Sequence, residues 1–279
     1  MASQGPAQQR FSVLEPSQGE SAVVVEVPHA GLSASPEELA TVSAPASALA
    51  RDADLYVDEL YADAPGEGAT LIFSHVSRYI CDLNRSVQDL DALAAVGGRA
   101  PSAPHGVVWR STTDGAPALF RPLDTATLQR RLTEIYQPYH DVLGRLLARK
   151  RERFGFAILL CGHSMPSRGR PDQLGQCAER ADVVPGSRGD TSATRAVVQA
   201  PEEIAAQFGL SVAHDEPYRG GFSTAHYGRP GAHVHAVQIE LARRLYMDEL
   251  TLAKKPNDFN RTREYCRRLV ARLGQLKLA

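Results

Sequence analysis

Four short apolar runs mark this chain: "SAVVVEVPHAG" (Ser21 to Gly31), "ATLIFSHV" (Ala69 to Val76), "FAILLCGHSMPS" (Phe156 to Ser167) and "HVHAVQIEL" (His233 to Leu241). Each is too brief for an average helix, and their valine, isoleucine and leucine blocks lack the alternation of a half-exposed strand. They are predicted to be central strands of a parallel sheet, buried on both faces. Between them the pattern turns helical. "SPEE" (Ser35 to Glu38) is a capping-box signature with proline at the first helical position. Ala50 to Asp63 carries Leu55, Leu60 and Tyr61 near helical spacing, with Asp54 and Asp58 on one face. Asp124 to Arg153 shows an apolar stripe through Leu128, Leu132, Ile135, Tyr139, Leu143 and Leu146, with a kink expected at Pro138. A further helix is expected after an N-cap at Asp190 or Thr191, and Asn257 to Leu276 reads as a basic amphipathic helix. Leu90 to Pro122, rich in Ala, Gly, Pro and Ser, reads as an irregular excursion over whatever site the sheet carries.

Open α/β sheets gather their chemistry at the carboxyl ends of the strands. The four runs place His29, then Arg78 to Arg85, then His163, then Glu240 at equivalent ends. One shared site is the simplest reading. The excursions fit a single domain over residues 13–279, behind a disordered tail of residues 1–12.

Charge narrows the partners. With 31 basic and 32 acidic residues the net charge is −1, which offers no general attraction to nucleic acid or to an anionic membrane. The arginines of the last helix alternate with Tyr265, Leu269 and Val270 as in an ordinary amphipathic helix. No apolar stretch approaches a membrane span, and the polar "MASQGPAQQR" lacks the core of a secretory signal. Four cysteines without paired spacing suit reduced thiols, so the expected compartment is the cytoplasm.

Two histidines at strand ends and a carboxylate from a third segment would make a zinc site with a fourth position for water. His29 and His163 are the first two candidates. Glu37 and Glu38 are taken by the capping box, which leaves Asp54 and, as its alternative, Asp58 for the third. Cobalt would suit the same donors. Glu240 lies in apolar sequence on the same strand face as Gln238, where desolvation would raise its pKa into the range of a general base. Its bland alternative is a surface ion pair with Arg243 or Arg244. "SRYICDLNRS" (Ser77 to Ser86) supplies Arg78, Asp82, Asn84 and Arg85. Arg78 joins Glu240 as a catalytic candidate, Asn84 and Arg85 form a clamp suited to a carboxylate, and Asp82 would orient one of the arginines. In "EPYRGGFSTAHYG" (Glu216 to Gly228), Tyr218 and Arg219 precede two glycines, and Arg219 would meet a substrate anion or a developing oxyanion.

Taken in order, "VPHAG", "DLYVDELY", "SRYICDLNRS", "CGHSMPS", "GDTS", "EPYRGGF" and "QIELARRLYMD" resemble the N-formylglutamate amidohydrolases over about Val23 to Asp248. The resemblance implies a three-layer α/β fold, helices around a mixed eight-stranded sheet, of the kind found in zinc carboxypeptidases and aspartoacylases (phosphorylase/hydrolase-like). It matches His29 and His163 to the metal histidines, Glu240 to the catalytic glutamate and Asn84 with Arg85 to the carboxylate-binding pair. It also implies hydrolysis of N-formyl-L-glutamate to formate and L-glutamate, a step of histidine degradation. One departure from carboxypeptidases matters: no glutamate stands three residues after His29, where Leu32 is found. The aspartate that recurs in the family's motif matches Asp54. Competing readings are a deacylase or carboxypeptidase for other N-acyl amino acids, and a non-catalytic dicarboxylate-binding protein using Arg78, Arg85 and Arg219.

Overall fold

A computed structural model describes residues 9–98, 105–170 and 176–278. The four apolar runs form β2 (Val23–Val27), β3 (Thr70–Ser74), β4 (Ala157–Met165) and β6 (Val234–Ala242), mutually parallel in the order β3-β2-β4-β6. Two antiparallel strands close the edges: β1 (Phe11–Leu14) on β3 and β5 (Val183–Gly186) on β6. The sheet therefore has six strands among the described residues, where eight were expected. Beyond β5 the chain adds a single bridge, Val183 to Val212, instead of another strand. Residues 1–8 of the expected tail lie outside the described residues, and the rest of that tail is not free: Phe11 and Ser12 pair with Ser74 and Phe73.

The apolar runs read as they do because both faces of the sheet are covered. Val23, Val25, Val27, Ile158, Leu160, Val237, Ile239 and Leu241 share one hydrophobic cluster with residues of α3 (Val57–Leu60), α6 (Arg195–Gln207) and α8 (Pro256–Gly274). Their neighbours Val24, Ile72, Ala157, Leu159, Cys161 and Ala236 share the other with α4 (Thr125–Arg131) and α5 (Gln137–Phe154). Burying each such valine, leucine or isoleucine is worth roughly 1.5–3 kcal/mol, so the sheet's register is strongly specified. The expected capping box is present at α1 (Pro36–Leu39): Ser35 accepts from Glu38 N, and the Glu38 side chain accepts from Ser35 N. The arginines of α8 pair with acids around it, Arg263 with Asp63, Arg267 with Glu67 and Glu264, and Arg272 with Glu203. No helix among the described residues is long and apolar enough to cross a membrane.

Three helical expectations change. The helix read over Ala50 to Asp63 is broken in two, α2 (Ala46–Asp52) and α3, with Asp54 in the connection and Tyr56 left-handed at φ 67°. A buried arginine opens it: Arg243 donates to the carbonyls of Arg51 and Ala53, while Asp54 N–H bonds to His29 O at 3.0 Å. The N-cap of α6 is Thr194, because Asp190 is used in a turn with Ser187. The kink expected at Pro138 is a π-turn over Leu132–Tyr136. Proline has no N–H to donate and its ring crowds the carbonyl four residues back, and a wider turn accommodates both.

Candidate active site

The carboxyl ends of β2 and β4 present their histidines to each other, with the rings of His29 and His163 centred 5.0 Å apart. Both are almost fully buried, as is Asp54 between them. Asp54 Oδ2 lies 3.0 Å from His163 Nδ1 and 3.4 Å from His29 Nδ1. One donor atom from each of these three residues falls within 4.8 Å of the others, a grouping able to hold a metal ion. His29 Nδ1 is buried and makes no hydrogen bond, an arrangement that costs free energy unless something ligates the nitrogen. Burial works against ionisation of Asp54, yet its hydrogen bond with His163 and the nearness of His29 hold the carboxyl below its usual range. Asp58, the alternative third ligand, is not in this group. It sits on α3, where burial raises its pKa. The broken helix thus separates two aspartates that a continuous one would have kept on one face.

The remote edges of both histidine rings are held. His29 Nε2 lies 2.8 Å from Asp82 Oδ1, and His163 Nε2 lies 3.2 Å from Asn84 Nδ2. The other oxygen of Asp54 faces Ser164 Oγ at 3.3 Å and the Arg243 guanidinium at 3.7 Å. Asp82 is a hub: it also accepts from Arg78 Nη2 at 3.1 Å, Trp109 Nε1 at 2.9 Å and the Asn84 backbone N–H at 2.9 Å. Burial opposes its charge, but His29 and Arg78 keep its carboxyl well below the usual range.

Glu240 stands beside His163 in the β4–β6 register. Its Oε1 accepts from Gln238 Nε2 at 2.8 Å, so the two side chains share a face. Burial, reinforced by the charge of Asp54 and countered by His163, Arg78 and Arg243, pushes its pKa up to about 7. The surface ion pair with Arg243 or Arg244 does not form. Arg243 is turned toward Ser164 and the α2–α3 connection, and Arg244 pairs with Asp182.

The anion-binding candidates divide. Asn84 has both ends of its carboxamide engaged, Nδ2 toward His163 and Gln238, and Oδ1 accepting from Ser223 N at 2.9 Å. Arg78 is bound to Asp82 and to the Asp52 carbonyl and stacks 4.5 Å from the Trp109 ring centre. Of the two arginines in Ser77 to Ser86, Arg85 is the one whose guanidinium makes no ion pair, and its Nε is buried with no hydrogen-bond partner. Tyr218 is half-buried, its phenol pKa raised by burial and by the charge of Glu240, while Arg219 is exposed. Gly221 lets this loop close onto the site: its N–H bonds to Gln238 Oε1 at 2.8 Å, and a Cβ there would strike the Asn84 carboxamide.

Sequence reasoning missed Asp82 as the partner of His29 and missed Trp109 and Ser164 altogether; it placed Gln238 on the face of Glu240 without giving it a role, and read Arg243 only as a surface ion-pair partner. Trp109 carried one signal, as the only tryptophan in the chain. The excursion from Leu90 to Pro122 reaches the site through that side chain, and its residues 99–104 lie outside the described residues.

Comparison with known proteins agrees with this arrangement. The family model described as N-formylglutamate amidohydrolase matches residues 21–247. The N-formylglutamate deformylase of Pseudomonas aeruginosa is 33% identical over 241 residues, covering 85% of this chain and 86% of that protein. The enzyme of the same name from Pseudomonas putida is 32% identical over 240 residues, with 85% and 86% covered. The crystal structure of N-formylglutamate amidohydrolase from Ralstonia eutropha JMP134 superposes with a TM-score of 0.86 at 28% identity, covering 95% of this chain and 97% of that one. A gene product from Agrobacterium tumefaciens shares the fold at a TM-score of 0.68 and 16% identity, with 95% and 94% covered. The chain belongs to the N-formylglutamate amidohydrolase family and is an amide-hydrolysing enzyme.

Proposed function

We propose that this enzyme hydrolyses N-formyl-L-glutamate to formate and L-glutamate with a divalent metal, zinc or alternatively cobalt, held by His29, Asp54 and His163. The observation that carries the metal is the buried His29 Nδ1, which has no hydrogen-bond partner and lies beside Asp54 and His163 Nδ1. Two imidazoles and one carboxylate are the donor set of a catalytic zinc that keeps a position for water. When bound, such an ion polarises a carbonyl oxygen and makes water more acidic.

The chain's own groups do the rest. Glu240 takes the proton of the attacking water as its oxygen bonds to the formyl carbon, then delivers that proton to the glutamate nitrogen as the C–N bond breaks. A pKa near 7 suits it to both transfers, and Gln238 fixes which oxygen is free to act. Asp82 and Asn84 orient the two histidines, as outer partners of metal ligands do. Arg78 acts through Asp82, to which it is bound. Arg85, the one uncommitted guanidinium of its segment, binds a substrate carboxylate, with Tyr218 and Arg219 closing the site from the loop above. The names of the relatives support the formyl substrate.

The wider setting belongs to the same proposal: residues 13–279 as one catalytic unit with a three-layer, carboxypeptidase-like build, working on free N-formylglutamate in a cytoplasmic route of histidine degradation. Four unpaired cysteines suit that compartment.

Formate release by metal-defined enzyme tests the proposal. Turnover is expected with zinc or cobalt and is lost on chelation. Glu240→Gln should retain the metal and lose turnover by about 10²–10⁴-fold. Full activity in metal-stripped protein, or in Glu240→Gln, would overturn it.

A further inference from the structure

The helix formed by α4, the π-turn and α5 runs past the segment Ile80 to Arg85, which carries Asp82, Asn84 and Arg85. Three of its side chains reach backbone carbonyls of that segment. Arg131 Nη1 donates to Ile80 O at 3.0 Å, Tyr136 OH to Arg85 O at 2.8 Å, and His140 Nε2 to Leu83 O at 3.0 Å. On a regular helix of 3.6 residues per turn, positions 131 and 136 would be rotated by about 140° from each other. The π-turn reduces that offset to about 40°, the rotation between residues four apart. Gln137 N–H bonds to Leu132 O, five residues back, so one extra residue is absorbed and Tyr136 returns to the face of Arg131. His140 follows Tyr136 by four and shares that face. The clamp is braced in turn, since His140 Nδ1 contacts Tyr227 OH at 2.9 Å and the Tyr136 and His140 rings are centred 4.3 Å apart.

We propose that the π-turn before Pro138 is a positioning device, aligning Arg131, Tyr136 and His140 into a three-point clamp that fixes the backbone from which Asp82, Asn84 and Arg85 reach the site. Each grip acts on a main-chain carbonyl, so its loss shifts several functional side chains together. Tyr136 holds the peptide of Arg85 itself, and its loss falls first on substrate binding. His140 holds Leu83, between Asp82 and Asn84.

The kinetic arm of the test rests on the proposed function, and a hydrogen-exchange arm does not. Metal-loaded wild type, Tyr136→Phe, His140→Leu and His140→Gln are compared by amide exchange over residues 80–86 and by steady-state kinetics on N-formyl-L-glutamate. Exchange over 80–86 is expected to quicken in Tyr136→Phe and His140→Leu while that of β4 stays unchanged. KM should rise about 3- to 10-fold in Tyr136→Phe, the loss of one hydrogen bond, with kcat within about twofold. His140→Gln keeps an N–H near the Nε2 position and should recover most of what His140→Leu loses. Unchanged exchange over 80–86 in both variants would overturn the clamp, as would His140→Gln behaving no better than His140→Leu. If the wild type does not turn over N-formyl-L-glutamate, the functional reading fails and the exchange data alone decide the clamp.

Discussion

Asp82 Oδ1 stands 2.8 Å from Nε2 of His29, and the carboxylate is wholly buried. That contact fixes the ring so that Nδ1 is the nitrogen turned toward Asp54 and His163. Arg78, Trp109 and the Asn84 N–H supply the remaining donors around the carboxylate, so it is fully satisfied without water. A buried carboxylate behind a ligating imidazole both orients the ring and raises its basicity.

Replacing Asp82 with Asn keeps the shape and removes the charge. Metal affinity is expected to fall about 10–100-fold, with activity partly restored by excess metal. Competition against a chelator of known strength measures it. An unchanged affinity would mean that Asp82 serves packing alone.

The Gln238–Glu240 contact makes a second prediction. A donor to an ionised carboxylate favours the charged form, so Gln238→Leu should raise the pKa of Glu240 further. Glu240 works as a base in its ionised form, and activity is lost as pH falls through its pKa. The acid limb of the kcat/KM profile should therefore move to higher pH in Gln238→Leu than in the wild type. A limb that stays in place would remove Gln238 from the tuning of Glu240.

How legible was this site in the sequence? The central strands were, because burial on both faces leaves an unbroken apolar run that only a few residue types can satisfy. His29, His163 and Glu240 followed from the strand ends. Asp54 was found, but on a helix that does not exist there. The break depends on Arg243, nearly 190 positions away, gripping two carbonyls, and local periodicity carries no trace of such a contact. Asp82 was visible as a charged residue in the right motif, yet its choice of His29 is a matter of three-dimensional approach. The edge strands β1 and β5 were missed because each is only four residues long, too short for an apolar pattern to stand out. Pro138 marks a disturbance of the helix, and the kink expected there takes the form of an extra residue in the turn before it.

Gly221 has an ordinary backbone conformation, so its requirement is steric alone. A methyl group there would meet the Asn84 carboxamide, which is pinned by His163, Gln238 and Ser223 and has nowhere to go. Gly221→Ala is expected to lower kcat/KM by at least about tenfold while costing about 1–3 kcal/mol of stability, the range for overpacking a buried contact. Kinetics and denaturant unfolding on the same preparation test both parts. Wild-type kinetics in the alanine variant would show that the loop yields without disturbing Asn84.

His140 predicts how the fold responds to acid. Burial lowers its pKa from 6.5 to about 4, only partly offset by the hydrogen bond to Leu83 O. The unfolded chain therefore takes up a proton on this ring at a higher pH than the folded one. The resulting stability is fully present above pH 6.5 and is lost as pH falls toward 4, by up to about 3 kcal/mol. Protonation would also put a proton on Nδ1, where Tyr227 OH now donates, and so would disturb the ring that holds Leu83. His140→Gln carries no titrating group. Its urea midpoint should decline less steeply than that of the wild type between pH 6.5 and 4, whatever the buried carboxylates contribute to both. Parallel declines in the two proteins would show that His140 takes up its proton at the same pH in the native and unfolded states, and that its ring is not held neutral against Leu83.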